Sequence, residues 1–229
     1  MKGTAYLLIF DGLADWEPAH VLSEINKSGK FDVITAGFSR TPILTMAGLK
    51  LTPDLTIDNL NEAAASILIL PGGDMWEKKS DEKLKALLRR LHGRKVPIAA
   101  ICAATLEIAR AGLTHGVRHT SNAREYLQAM VPGYKDSDCY VDRLAVADRN
   151  IVTASGLGSV EFAREVISQL HVYSEADTQI WFEMFKHAVI PAGSRQERLA
   201  LLLGHFQPRF GSLERVFGVS EIGFCLAGF

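Results

Sequence analysis

Ser66-Ile-Leu-Ile-Leu-Pro71-Gly72-Gly73, then Asp81 to Arg94, then Pro97-Ile-Ala-Ala-Ile101-Cys102-Ala103-Ala104 are the stretches that decide how this chain folds. The first is an unbroken apolar run closed by two glycines, the form of a parallel strand buried on both faces. The second places its charges on one side of a helical period. The third is another buried strand, and the small, helix-favouring residues Ala103 to Ala111 follow it without a loop. Cys102 therefore falls where a strand hands over directly to a helix.

Working outward, Thr4 to Phe10 reads as a strand closed by Asp11-Gly12, and Glu17 to Ser28 as a helix with apolar residues at Ala19, Val21, Leu22 and Ile25 and a stop at Gly29. Phe31 to Gly37 is a further strand, and Thr41 to Leu51, broken by Ala47-Gly48, a small hairpin. Downstream, Val117 to Thr120 predicts a short strand and Ala123 to Met130 a helix. Tyr140 to Ala147 and Asn150 to Ala154 predict strands around Asp148-Arg149, ahead of helices over Val160 to Leu170 and Asp177 to Lys186. The alternation points to an α/β domain over residues 1–190 built on a doubly wound, mostly parallel sheet. After Pro191 scattered glycines interrupt short apolar pieces. Residues 191–229 read as an appendage whose Phe and Leu side chains need a surface to dock on, in the domain or in another subunit.

Composition removes several classes of function. The formal net charge is −1 with both signs scattered, so no basic stripe offers itself to nucleic acid or to a membrane surface. The three cysteines, Cys102, Cys139 and Cys225, are odd in number and irregularly spaced, which suits neither a disulfide framework nor a paired-thiolate zinc site. No metal or other cofactor is called for. No run of about 18 apolar residues and no signal peptide is visible. The expected compartment is the reducing cytoplasm, and the expected partner a small-molecule substrate.

In a parallel α/β sheet the carboxyl ends of the strands form the edge where ligands bind. Four pieces converge there: Asp11 to Glu17, Gly72-Gly73-Asp74, Cys102, and His119-Thr120-Ser121-Asn122. Ala100-Ile101-Cys102-Ala103-Ala104 has the small-x-nucleophile-x-small form of a nucleophile elbow. A helix start at Ala103 would aim free N–H groups and a positive dipole end at the sulfur and lower the thiol pKa. With the N–H of Gly73, the N–H of Ala103 would also form an oxyanion hole. Glu17, ahead of Pro18, lies in the first turn of the first helix. Protonated, it would donate to a thiolate; ionised, it would repel one and raise the cysteine pKa. Asp15 is the expected helix cap, Trp16 and Trp76 are candidate pocket walls, and Asp74, Thr120 and His119 are accessory candidates. The bland alternatives are a buried structural cysteine, a dipole-complementing acid and a structural histidine.

Asp11-Gly12, Asp15-Trp16-Glu17-Pro18, Leu70-Pro71-Gly72-Gly73-Asp74, Ala99-Ala100-Ile101-Cys102-Ala103, His119-Thr120-Ser121-Asn122, Thr153-Ala154-Ser155-Gly156 and Glu161-Phe162-Ala163 resemble, in order and spacing, the ThiJ/PfpI family. The resemblance spans roughly Lys2 to Lys186. It implies a flavodoxin-like three-layer sandwich related to class I glutamine amidotransferase domains, an elbow nucleophile at Cys102 with Glu17 as its acidic partner, oxyanion donors at Gly73 and Ala103, and a homodimer. Members of that family include intracellular proteases or amidases, glyoxalase- and deglycase-like enzymes, chaperones and oxidation sensors.

Two departures narrow the choice. Ala103 stands where the protease-like and chaperone branches carry a histidine after the nucleophile, so a dyad would need His119 or another group. Gly158-Ser159-Val160-Glu161 lacks the histidine of the amidotransferase His-x-Glu pair, which argues against ammonia transfer from glutamine. The leading expectation is a cysteine-dependent hydrolase, amidase or glyoxalase-like enzyme acting on a small carbonyl or amide compound. The alternative is a non-enzymatic oxidation sensor or chaperone-like protein using the same cysteine.

Overall fold

A computed structural model describes residues 2–189. The expected appendage 191–229, with Cys225, lies outside the described residues.

The chain runs β1 (Gly3–Leu8), α1 (Trp16–Lys27), β2 (Phe31–Gly37), β3 (Ile43–Leu44), β4 (Lys50–Leu51), β5 (Leu55–Thr56), β6 (Ala65–Leu70), α2 (Met75–Lys78), α3 (Glu82–Gly93), β7 (Ile98–Ile101), α4 (Thr105–Arg110), α5 (Arg124–Met130), β8 (Ala145–Asp148), β9 (Ile151–Ala154), α6 (Ser159–Gln169) and α7 (Glu175–His187). Seven strands form one sheet in the order β5-β2-β1-β6-β7-β9-β8, parallel except for β8, while β3 and β4 make a separate antiparallel hairpin. The chain steps from β1 to β2 on one side and then returns to place β6 on the other. That reversal opens a crevice at the carboxyl ends of β1 and β6. Right-handed crossovers in the two directions put helices on opposite faces. Helix α1 packs on α6 and α6 on α7, while α3, α4 and α5 pack together on the other side. This is a flavodoxin-like three-layer α/β fold.

The central strands read as expected for burial on both faces. Ile67, Leu68, Ile69 and Leu70 are fully buried, as are Ile98, Ala99, Ala100 and Ile101. Each large side chain among them contributes about 1.5–3 kcal/mol of burial. Helix α3 begins where Asp81 accepts a hydrogen bond from the Leu84 N–H, and its leucines 84, 87, 88 and 91 face the core. A fully buried acid, Glu107, joins α4 to the start of α3. It accepts from Ser80 Oγ (2.7 Å) and the Asp81 N–H (3.1 Å) and pairs with Arg110 (3.3 Å). Glu107→Ala removes the buried carboxylate that ties the start of α3 to Arg110 and is expected to cost about 3 kcal/mol in urea unfolding.

Two expected strands are corrected. Val117 to Thr120 forms only an isolated parallel bridge, His119 to Tyr140. Side-chain oxygens take the N–H groups that a ladder would use: Arg118 N–H donates to Asp148 Oδ2 and Thr120 N–H to Thr153 Oγ1. The strand expected from Tyr140 is confined to Ala145–Asp148, because a tight turn joins Arg143 N–H to Val141 O.

Candidate active site

Cys102 leaves β7 on a left-handed backbone, φ 59°, after extended Ile101 and ahead of a single 3-10 turn, Cys102–Ala104. A non-glycine residue there carries strain of about 1–3 kcal/mol, which surrounding bonds must hold. Thr105 Oγ1 supplies one, donating to Cys102 O (2.6 Å) while sharing a 2.6 Å bond with Ser121 Oγ. The elbow lifts the thiol out of the buried strand, and Cys102 is half-buried.

Glu17 reaches the same place from the first turn of α1 and is 1% exposed. Its Oε2 accepts from the Gly72 N–H at 2.5 Å, and the Gly72 carbonyl accepts from the Ala14 N–H at 3.0 Å, so the β6 turn grips the start of α1 on both sides. A Cβ on Gly72 would stand 2.6 Å from Glu17 Oε2 and 2.7 Å from the Cys102 Cβ. The acid and the cysteine thus meet over a glycine that has no room to be anything else.

Burial raises both pKa values, and Glu17 adds to that of Cys102 whereas Cys102 lowers that of Glu17. Burial pushes Glu17 from 4.5 up to about 7, opposed by the Gly72 N–H and by Cys102. Burial, then the negative charge of Glu17, pushes the Cys102 thiol up to about 11, against the pull of Asn122 and the Ala103 N–H. The expectation that a helix start lowers this thiol is therefore corrected. Helix α4 begins only at Thr105, is six residues long, and is outweighed by burial and the carboxylate.

Asn122 and Gly156 complete the pocket and were not singled out from sequence. Asn122 Nδ2 donates to Cys102 Sγ at 3.4 Å while its Oδ1 accepts from the Gly156 N–H at 2.9 Å. A Cβ on Gly156 would come within 2.8 Å of the sulfur. Both lie inside quoted motifs, but nothing in their residue types announced a sulfur contact. Gly156→Ala is expected to displace the thiol from Glu17, lowering turnover at least tenfold for a stability loss of about 1–3 kcal/mol in thermal unfolding.

The other candidates go elsewhere. His119 is fully buried, with Nδ1 at 2.7 Å from Val117 O and Nε2 at 2.6 Å from Tyr134 Oη, so both ring nitrogens are engaged away from the thiol. Thr120 Oγ1 donates to Arg143 O. Asp15 occupies the cap position of α1 but its carboxylate caps nothing there; it accepts from the Ala47 N–H and ties down the β3–β4 hairpin. Asp74 is exposed and, with Asp11, Phe10 and Met75, lines a cleft of about 740 Å³ on the β1–β2 side, a lining that includes neither Cys102 nor Glu17. Gly73 is buried against Gly12 O and the Phe10 ring. Trp76 is core, edge-on to Phe10 with ring centroids 5.1 Å apart, whereas Trp16, beside Glu17, is 55% exposed.

Residues 3–169 match the model of the DJ-1/PfpI family. The chain belongs to that family. DJ-1/PfpI relatives include an uncharacterized protease of Bacillus subtilis (YoaZ), 33% identical over 188 residues that make up 79% of this chain and 90% of the relative. A deglycase of Pyrococcus horikoshii is 30% identical over 129 residues, 54% of this chain and 72% of that protein. The crystal structure of a thiJ/pfpI family protein from Bacillus anthracis superposes with a TM-score of 0.75 at 32% identity, covering 90% of this chain and 97% of the other. The DJ-1/PfpI match agrees with the resemblance drawn from the motifs. The names of the relatives span a protease and a deglycase, so membership of the family leaves the reaction open. Among the described residues no helix is long and apolar enough to cross a membrane.

Proposed function

We propose that this DJ-1/PfpI protein is a cysteine-dependent enzyme acting on a small carbonyl compound, with Cys102 as nucleophile and Glu17 as the group that moves its proton. The observation that carries the proposal is the convergence of a thiol and a buried carboxyl group on Gly72, with burial raising that carboxyl group to about 7. A carboxyl group titrating near neutral pH takes and returns a proton with little penalty either way. As sulfur adds to the carbonyl carbon, the S–H proton passes to the Glu17 carboxylate and the carbonyl oxygen gains negative charge. Glu17 then returns a proton to that oxygen, giving a hemithioacetal. In an α-dicarbonyl, transfer of the C1 hydrogen to C2 as a proton turns this into a 2-hydroxy thioester, which water hydrolyses to the 2-hydroxy acid and the free thiol with no outside oxidant. The N–H groups of Ala103 and Gly73 are the proposed oxyanion donors.

The raised thiol pKa favours an aldehyde or α-dicarbonyl over a peptide. Addition to a strong electrophile needs no leaving group, whereas a peptide bond calls for a pre-formed thiolate and a histidine acid. The deglycase among the relatives fits that preference. A second reading has its own support: Asn122 Nδ2, the Ala103 N–H and a protonated Glu17 would also hold the oxygens of a sulfinic acid, making Cys102 an oxidation sensor. Cytoplasmic location and a homodimer belong to the same proposal. They are supported by the free thiols of Cys102 and Cys139 and by the exposed Leu44, Met46, Leu49 and Leu51 of the hairpin.

The test is a panel of methylglyoxal, chromogenic amides and mild peroxide, followed by the mass of the Cys102 peptide. Catalytic loss of methylglyoxal with an unmodified peptide afterwards is the expected outcome. Amide turnover in its place, or stoichiometric oxidation without turnover, would overturn it.

A further inference from the structure

A second feature lies at the far end of α4, the helix that follows the Cys102 elbow. A cleft of about 520 Å³ opens between α3, the end of α4 and segment 131–136, and Lys85, Arg89, Arg110 and Lys135 line it against the single carboxylate of Asp136. For a chain of net charge −1 this is a local concentration of positive charge.

Part of that charge has a structural task. Arg89 Nε donates to Ala111 O and Arg110 Nη2 to Met130 O, the carbonyl ends of α4 and α5. Arg110 is also paired with buried Glu107, and Lys85 with Glu82 at 2.6 Å. Asp136 is committed as well: Oδ2 accepts from Thr114 Oγ1 at 2.6 Å, and Oδ1 lies 3.2 Å from His115 Nδ1. What is left over are the terminal N–H groups of Arg89, whose Nε alone is used by Ala111 and whose charge also faces Glu82, and the ammonium of Lys135. No ion pair among the described residues includes either.

We propose that this cleft binds a small phosphate monoester, its dianion held between the Arg89 fork and Lys135. A guanidinium with free N–H groups and a mobile ammonium is the pair of donors that a phosphate group takes best. The volume admits the rest of a metabolite-sized molecule. The ring of Tyr134, in the cleft wall, offers an apolar contact for it, since its hydroxyl is already bonded to His119 Nε2. The lining includes none of Glu17, Gly72, Cys102 and Asn122, so the site stands apart from the proposed chemistry.

The test is calorimetric titration of the full chain with AMP, inorganic phosphate and adenosine at fixed ionic strength. Saturable one-to-one binding of AMP, competition by inorganic phosphate and no binding of adenosine are expected. Lys135→Glu, an exposed position, should weaken AMP binding at least tenfold with an unchanged melting curve. Lys50→Glu on the hairpin, with the same change of net charge, should leave it intact. Absence of saturable AMP binding, equal binding of adenosine, or equal weakening by Lys50→Glu would overturn the proposal.

Discussion

Cys102→Ser is expected to lower methylglyoxal turnover at least about a thousandfold while leaving the thermal unfolding curve within a few degrees of wild type. The serine oxygen fits the space of the sulfur, and the elbow is held by the bonds of Thr105 rather than by the thiol. An alcohol is far less nucleophilic than a thiol, and Glu17, with a pKa of about 7, is too weak a base to make up the difference. The same variant should lose any peroxide-induced mass increase on that peptide. Its steady-state rate, measured with the mass of the peptide before and after reaction, checks the role of the sulfur directly.

Glu17→Gln separates two roles of one carboxyl group. Glutamine keeps an oxygen to accept from the Gly72 N–H but cannot take the thiol proton, so kcat should fall about 10²–10⁴-fold. Stability should move the opposite way at neutral pH and above. The folded pKa of Glu17 is raised from 4.5 to about 7, so the carboxyl group carries no penalty below 4.5, where it is protonated folded or unfolded. Stability is lost from about pH 4.5, where the unfolded carboxyl group ionises and the folded one does not, until the folded group ionises at about 7. The loss levels at about 3 kcal/mol. Wild-type protein should therefore lose stability across that window in urea unfolding, and the glutamine variant should not. A wild-type curve flat from pH 5 to about pH 8 would show that the acid is not held in the interior.

The sheet was legible in the sequence because its strands are buried on both faces, and unbroken runs such as Ile67 to Leu70 have no other stable use. The elbow was legible for the same reason, since Ile101 and Ala103 leave no residues for a loop between strand and helix. The lost strands at Val117 and Tyr140 were not. Their N–H groups are satisfied by Asp148, Thr153 and a local turn, partners whose identity depends on tertiary contact. Among the site residues, topology alone brought Glu17, Gly72 and Cys102 to one edge. The direction of the thiol pKa did not follow, because dipole and carboxylate act in opposite senses and only the burial of both groups decides between them. His119 drew attention as a histidine near the edge, yet its ring links Val117 to Tyr134, and the amide of Asn122 is what touches the sulfur.

The rate at which iodoacetamide alkylates Cys102, followed by peptide mass from pH 7 to about 9.5 in wild type and Glu17→Gln, reports the thiolate fraction of that one residue. With a thiol held near 11 by burial and a neighbouring carboxylate, the wild-type rate should climb about tenfold per pH unit without levelling, and the variant should react faster at every pH. A wild-type rate that plateaus by about pH 8, or two superimposable profiles, would mean that the acid and the sulfur do not share a proton.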